Sequence, residues 1–243
     1  MDISSSKDKI FLGREKGMIV LNAIKDANFS VKIVSPYLSP DYTKELVKLA
    51  EKGVEITLIT CDNLEVNRWS DFKHSDVIKQ KKIENNKAKE TKKKLKKLSK
   101  IFILTSLLLL VFSSYIHILI YLSAMLFITS LIFIIPNYFI KEYNCEYYSI
   151  FKLKVFDSKS SSKPQSTNLI HSKIFLIDKN TLFLGSANFT YSAFKTHYET
   201  VIKVEDVKAI KEIDKEIENI FNSTELKAKS IEDWGKEIYE RNI

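Results

Sequence analysis

The segment HSKIFLIDKNTLFLGSAN, residues 171–188, sets a histidine and a lysine two positions apart at the head of an apolar alternating run, then closes on Gly-Ser-Ala-Asn. In an extended strand alternate side chains share a face, so His171, Lys173, Phe175 and Ile177 point one way and Ser172, Ile174 and Leu176 the other. With Lys179 and Asn180 as a two-residue turn, the register of the hairpin places Lys173 opposite Ser186 and His171 opposite Asn188. An imidazole, an ammonium, a hydroxyl and an amide are thereby gathered at one end of a hairpin whose other end is apolar. A phosphate diester needs this set: neutralisation of its oxygens together with an attacking or proton-donating imidazole. Gly185 lets the backbone pass close to a ligand or turn without a Cβ clash. The competing reading is that His171 and Lys173 are solvated residues where a strand leaves the core.

The full spacing decides between these readings. His171-x-Lys173, four residues, Asp178, six residues, then Gly185-Ser186-x-Asn188 resembles the signature of the phospholipase D superfamily at every specified position. Two flanking stretches, AIKDANFSVKIVSPYLSPDYTKELVKLAEKGVEITLIT and ETVIKVEDVKAIKEIDKEIENIF, are similar to the parts that surround the motif in small single-motif members. The resemblance covers nearly the whole chain apart from about residues 74–145.

It implies that His171 attacks phosphorus to give a covalent phosphohistidine that water or another alcohol cleaves. Lys173 and Asn188, with Ser186, would hold the non-bridging oxygens, and Glu199 in HYETVI would hydrogen-bond the histidine and fix its tautomer. Asp178 is implied to be a structural partner, and neither His197 nor Tyr198 is expected to act directly. The mechanism uses two histidines, yet the sequence holds a single motif, and His74 has no lysine two residues on. A symmetric homodimer would supply the second imidazole. No cofactor or metal is implied, since there is no carboxylate or His/Cys cluster at ligand spacing.

The motif needs a sheet to hold it. EKGMIVLNAIKDAN reads as an amphipathic helix and SVKIVSPY as a strand; SPDYTKELVKLAEKG is a second helix with Ser39 or Asp41 as N-cap, Pro40 in its first turn and Gly53 as its stop. VEITLIT follows as a strand, and helix-strand alternation implies a parallel α/β unit. Later, YYSIFKLKVFD is expected to be a strand and SKSSSKPQSTN a polar loop. Helical spacing places Val207, Ile210, Ile213, Ile217 and Ile220 on one face of residues 206–222, and a last helix over about 229–241 carries Trp234 and Tyr239 as packing residues. Neither half has enough elements to bury a core alone, so strands from both must share one sheet. The expected fold is therefore α/β, a phospholipase D-like mixed sheet flanked by helices and interrupted by a two-helix transmembrane hairpin.

Charge and hydropathy define that interruption. Residues 79–100 hold eleven lysines against Glu84 and Glu90, a local charge of +9 in a chain whose total is +8, so the remainder is close to −1. Directly after them, residues 101–140 contain no Asp, Glu, Lys or Arg. Forty apolar residues exceed the roughly 20 that one crossing needs, so two spans are expected, about 100–114 and 118–139, with Ser113, Ser114 and His117 at the tip. The lysines mark a cytoplasmic flank held at an anionic leaflet, which puts both termini and the catalytic domain in the cytoplasm. MDISSSKDKIFLG lacks an apolar core of signal-peptide length, which argues against secretion. Cys61 and Cys145 have no metal spacing and are read as structural.

The expected organisation is thus 1–75 for the first part of the catalytic domain, 76–100 for the lysine-rich segment, 101–140 for the hairpin, and 141–243 for the remainder with the motif. Two substrate classes follow from the resemblance: phospholipids, reached from the membrane surface, or DNA or RNA cut by a membrane-tethered nuclease. The globular parts lack the basic excess that nucleic-acid binding would need, which favours lipid, with Tyr147, Tyr148 and Phe151 as candidate rim residues. A non-catalytic phosphate-binding module is the third class.

Overall fold

A computed structural model describes residues 2–5, 8–61, 77–156 and 170–240. In chain order the elements are β1 (Asp2–Ser5), β2 (Asp8–Gly13), α1 (Met18–Lys25), β3 (Ser30–Val34), α2 (Pro40–Glu51), β4 (Glu55–Cys61), β5 (Ile78–Glu84), α3 (Asn86–Phe112), α4 (Ile118–Phe139), β6 (Tyr143–Ser149), β7 (Lys152–Phe156), β8 (Ile174–Ile177), β9 (Thr181–Gly185), α5 (Tyr191–Lys195), β10 (Glu199–Val204), α6 (Val207–Asn222) and α7 (Ile231–Glu240). They form two compact units, Met1–Gln80 with Tyr147–Ile243, and Lys81–Glu146. His74 and the expected polar loop SKSSSKPQSTN lie outside the described residues.

The first unit is built on a mixed eight-stranded sheet in the order β1-β2-β10-β9-β8-β3-β4-β7. Strands from before and after the insertion share it, as the burial argument required. β3 and β4 are parallel and joined through α2, β4 runs parallel to β7, and β8 joins antiparallel to β3. The N-terminal stretch, to which no strand was assigned from sequence, supplies β1 and β2, and β2 covers the edge of β10. The expected single strand YYSIFKLKVFD is two strands, β6 and β7, broken at Ile150 and Phe151. Of the two N-cap candidates, Ser39 holds the cap position of α2, and Gly53 closes that helix at φ +93°.

Alternation along β8 separates two cores. Ile174 and Leu176 join Val34, Ile59, Leu182, Ile210 and Ile217 under α6. Phe175, on the other face, packs with Phe189 and Phe194, and both of these also meet Tyr42 of α2. Lys32, buried in β3, is neutralised by Asp214 and Glu218 of α6, each at 2.5 Å. Trp234 is buried, and Tyr239 stacks on Tyr147 while donating to the Ile78 carbonyl, so both aromatics of α7 are packing residues.

The second unit holds the antiparallel α3–α4 pair, whose uncharged part is apolar outside and polar inside. Leu104, Leu107, Leu108, Val111, Ile118, Tyr121, Ile128 and Ile132 are exposed, whereas Ser99, Ser106, Ser123, Ser130 and Asn137 are buried. Ser106 and Ser123 each donate a hydroxyl to the other's carbonyl, at 3.0 and 2.8 Å.

Among the described residues, one helix, Ile118–Phe139, is long and apolar enough by length and composition to cross a membrane. The expected first crossing differs. The uncharged part of α3 is residues 101–112, about 18 Å at 1.5 Å per residue, short of the roughly 30 Å of hydrocarbon. The lysines extend the same helix, so helical continuity could not be read as apolar continuity.

Asp178 at the β8–β9 tip ties the motif hairpin to the start of β3. Its carboxylate accepts from the backbone N–H groups of Asn28, Phe29 and Ser30 at 3.0, 2.7 and 2.8 Å. Burial pushes this carboxyl up, but the three N–H donors outweigh it and its pKa lies below the usual aspartate value. Its stabilising contribution is therefore complete above the unfolded pKa of about 3.9 and lost as pH falls through the lower folded value. Asp178→Asn should lower stability at pH 7 by about 2 kcal/mol, with the gap to wild type closing below about pH 4. Denaturant unfolding followed across pH checks this.

Candidate active site

The β8–β9 turn is one residue longer than a Lys179-Asn180 turn. Asp178 and Lys179 both take positive φ, 49° and 54°, and the Asn180 N–H donates to the Ile177 carbonyl at 3.1 Å. Pairing then begins at Ile177 with Thr181 and runs to Ile174 with Leu184. The expected register is thus shifted by one, and the next position out from the Ile174–Leu184 pair sets Lys173 beside Gly185 instead of Ser186. The anchoring of Asp178 to the β3 backbone is the physical cause: a carboxylate that must reach three N–H groups enters the turn itself.

His171 and Lys173 precede β8, His171 exposed and Lys173 8% exposed. The Lys173 Nζ lies 3.0 Å from His171 Nδ1 and 3.3 Å from Nε2, and donates to the His171 carbonyl at 2.6 Å. Burial lowers the Lys173 pKa below the usual lysine value, with the Glu199 carboxylate opposing it. A cation held partly out of water interacts more strongly with an anion than a solvated one does.

Gly185 sets the approach of the next strand. A Cβ there would lie 2.0 Å from the Thr200 carbonyl oxygen, and this closeness lets Ser186 N–H donate to that carbonyl at 3.0 Å. The Ser186 hydroxyl accepts from Thr200 N–H at 3.0 Å and donates in a short hydrogen bond to Glu199. Ser186, expected to hold phosphate oxygens, is engaged with Glu199. Glu199, expected to orient His171, is nearly buried on β10, holds the Ser186 hydroxyl and lies 3.8 Å from His197 Nδ1. Tyr198, beside it, is exposed.

Asn188 follows in the loop before α5, and its Oδ1 is buried without a hydrogen-bond partner among the described residues. That loop is clamped by Ser35, which the sequence did not single out, and by Ser39, which it singled out only as a helix N-cap. Ser35 Oγ accepts from Phe189 N–H at 3.0 Å and Ser39 Oγ accepts from Tyr191 N–H at 2.8 Å. The signal available for both was only their place in the turn after an apolar strand. Cys61 is buried with its thiol 3.4 Å from the Ile170 carbonyl, one residue ahead of His171, and neither it nor Cys145 is in a disulfide. Among the described residues no three His, Cys, Asp or Glu side chains converge as a metal-binding group would.

The arrangement is thus an exposed imidazole against a largely buried ammonium, with an amide whose buried oxygen has no partner among the described residues and a carboxylate-backed serine on the adjoining loop. Such a set neutralises a phosphate and presents a nucleophile to it.

Residues 137–221 match the family model described as "Cardiolipin synthase, PLD-like domain". The match covers about a third of the chain, holds the motif from His171 to Asn188 and Glu199, and supports a phospholipase D-like relationship. No curated protein sequence matches the chain. Among solved structures it is similar to NucT from Helicobacter pylori (15% identity, 92% of this chain and 99% of that one, TM-score 0.49). It is also similar to Nuc, a phospholipase D family member from Salmonella typhimurium (14%, 92% and 99%, TM-score 0.45). A third similarity is to phosphatidylserine synthase from Haemophilus influenzae Rd KW20 (13%, 99% and 43%, TM-score 0.44).

Gly185→Ala should destabilise the protein by about 2 kcal/mol, because the added Cβ meets backbone that cannot move without opening β9 from β10. Chemical unfolding of the variant against wild type checks it, with Gly53→Ala, where no atom lies within 4 Å of the added Cβ, as the steric control.

Proposed function

We propose that the chain is a membrane-attached, metal-independent phosphodiesterase of the phospholipase D type, acting on phospholipids through a phosphohistidine at His171. The observation that carries this reading is the 3.0 Å pairing of a buried lysine with an exposed imidazole, in a region whose family model bears the name of a phospholipid-synthesising enzyme.

In the reaction an imidazole nitrogen of His171 attacks phosphorus. The P–N bond forms as the bond to the leaving oxygen breaks, and that oxygen takes a proton from a second imidazole. Water then attacks phosphorus as it gives a proton to that second imidazole, the P–N bond breaks, and both histidines are restored with a phosphate monoester as product. Lys173 neutralises the oxygens that gain charge in each transition state, and the Asn188 NH2 group donates to them. Glu199 holds Ser186, and through it the Gly185-Ser186 turn, in place. The second imidazole is the His171 of a second copy in a twofold dimer.

The length and apolar composition of α4 support attachment to a bilayer through that helix. The lysine-rich end of α3 then faces an anionic leaflet. Nucleic acid as substrate is the second reading, favoured by the same lysines.

Full-length protein in detergent and EDTA, offered liposomes of anionic phospholipid in one assay and single- and double-stranded DNA and RNA in another, separates the readings. Lipid cleavage that His171→Ala reduces at least about a thousandfold is the expected result. Nucleic-acid cleavage lost in the same variant would replace lipid as the substrate, and no cleavage of either would remove the enzyme reading. On the expected substrate, kcat/KM should fall on an alkaline limb below the ordinary lysine value of about 10.4, as Lys173 loses its proton. A pH-rate profile checks this, and a limb at or above the ordinary value would contradict it.

A further inference from the structure

The lysine run of α3 forms a concave site of its own. Lys89, Lys92, Lys93, Lys96, Lys97 and Lys100 recur at steps of three and one, which keeps them on one helix face. With Glu142 they line a cavity of about 560 Å³. Two of the six are already neutralised: Lys89 pairs with Glu84 at 2.7 Å and Lys92 with Glu142 at 2.8 Å. Lys93, Lys96, Lys97 and Lys100 have no ion pair among the described residues.

A second cavity, of about 370 Å³, adjoins the first and shares Lys92 and Lys96 with it; its other walls are Ser99, Ile134, Asn137 and Tyr138. The helix seam explains why cationic and apolar walls meet here. Counting seven residues outward from the Ser106–Ser123 pair meets Ser99 and Ser130, both buried. Seven further meets Lys92 and Asn137, which line the second cavity together. The lysine half of α3 therefore runs alongside the C-terminal half of α4, where Ile132, Ile135, Tyr138 and Phe139 are exposed. Asn137 Oδ1 is buried there without a partner among the described residues.

We propose that these two cavities bind one anionic phospholipid whose headgroup carries more than one phosphate. The four unpaired lysines take the phosphates, and the acyl chains run along the exposed apolar side of α4. Four cations in one concavity over-neutralise a single phosphate and suit two or more. A nucleic acid would satisfy the lysines but leave the adjoining Ile134 and Tyr138 wall and the contiguous apolar surface of α4 uncomplemented; a phospholipid satisfies both. This inference is independent of the chemistry at His171, which lies in the other compact unit.

The full chain in phosphatidylcholine nanodiscs tests it, with an inositol-bisphosphate lipid as the probe and phosphatidylserine at matched total charge as the comparison, read by native mass spectrometry. The expected result is saturable binding of one bisphosphate lipid per chain, at least about tenfold preferred over phosphatidylserine. Combined Lys93→Gln, Lys96→Gln, Lys97→Gln and Lys100→Gln should abolish the preference. Glu142→Gln, which releases Lys92, should strengthen binding, a gain that misfolding could not produce. Binding that follows total charge alone, or that survives the fourfold substitution, would overturn the proposal. So would inorganic pyrophosphate binding as tightly as the lipid, and displacement of the lipid by a single-stranded DNA oligonucleotide would assign the lysines to nucleic acid instead.

Discussion

The carboxylate of Asp178 holds together parts of the chain that the insertion separates. By accepting from Asn28, Phe29 and Ser30 it fixes the tip of the β8–β9 hairpin to the first residues of β3, and the antiparallel β3–β8 ladder follows from that point. About 140 residues of chain intervene between the two, so the ladder carries a closure cost that local pairing would not. Charge-assisted bonds to three consecutive amides offset part of that cost and set the register in which Lys173 and His171 leave the sheet.

From this register the site is assembled in layers. Gly185 brings β10 close enough for Ser186 and Thr200 to exchange backbone and side-chain hydrogen bonds, and Glu199 then anchors the serine. Ser35 and Ser39, from the turn after β3, clamp the loop that follows Asn188. The candidate catalytic groups thus come from segments late in the chain, while the clamps and the anchor partners come from its first 40 residues. Folding of the site requires both sides of the insertion, and an inserted hairpin whose ends return close together is the topology that permits it.

Much of this was legible in the residues themselves. Alternation in HSKIFLID separated two core faces, the isoleucine spacing of residues 206–222 gave α6, and the shortage of elements in each half required a shared sheet. The β8–β9 register was not legible, because Lys-Asn as a central turn pair and Asp-Lys as a positive-φ pair differ by one residue and only the distant β3 amides decide between them. The partner of Glu199 was misplaced for the same kind of reason. The resemblance pointed it at His171, while the close approach of β10 through Gly185 delivers it to Ser186. In the hairpin, absence of charge located the apolar segment, but two crossings were expected from its total length when its first helical part, residues 101–112, is much shorter than its second.

The central claim is that His171 becomes covalently bound to phosphorus. Rapid mixing of the protein with a phosphodiester substrate, an alkaline quench that preserves phosphoramidates, and peptide mass mapping measure this directly. The account predicts a substrate-dependent adduct on the peptide holding His171, accumulating within one turnover and absent in His171→Ala. Steady cleavage with no adduct at any time, or an adduct on another residue that persists in His171→Ala, would contradict it.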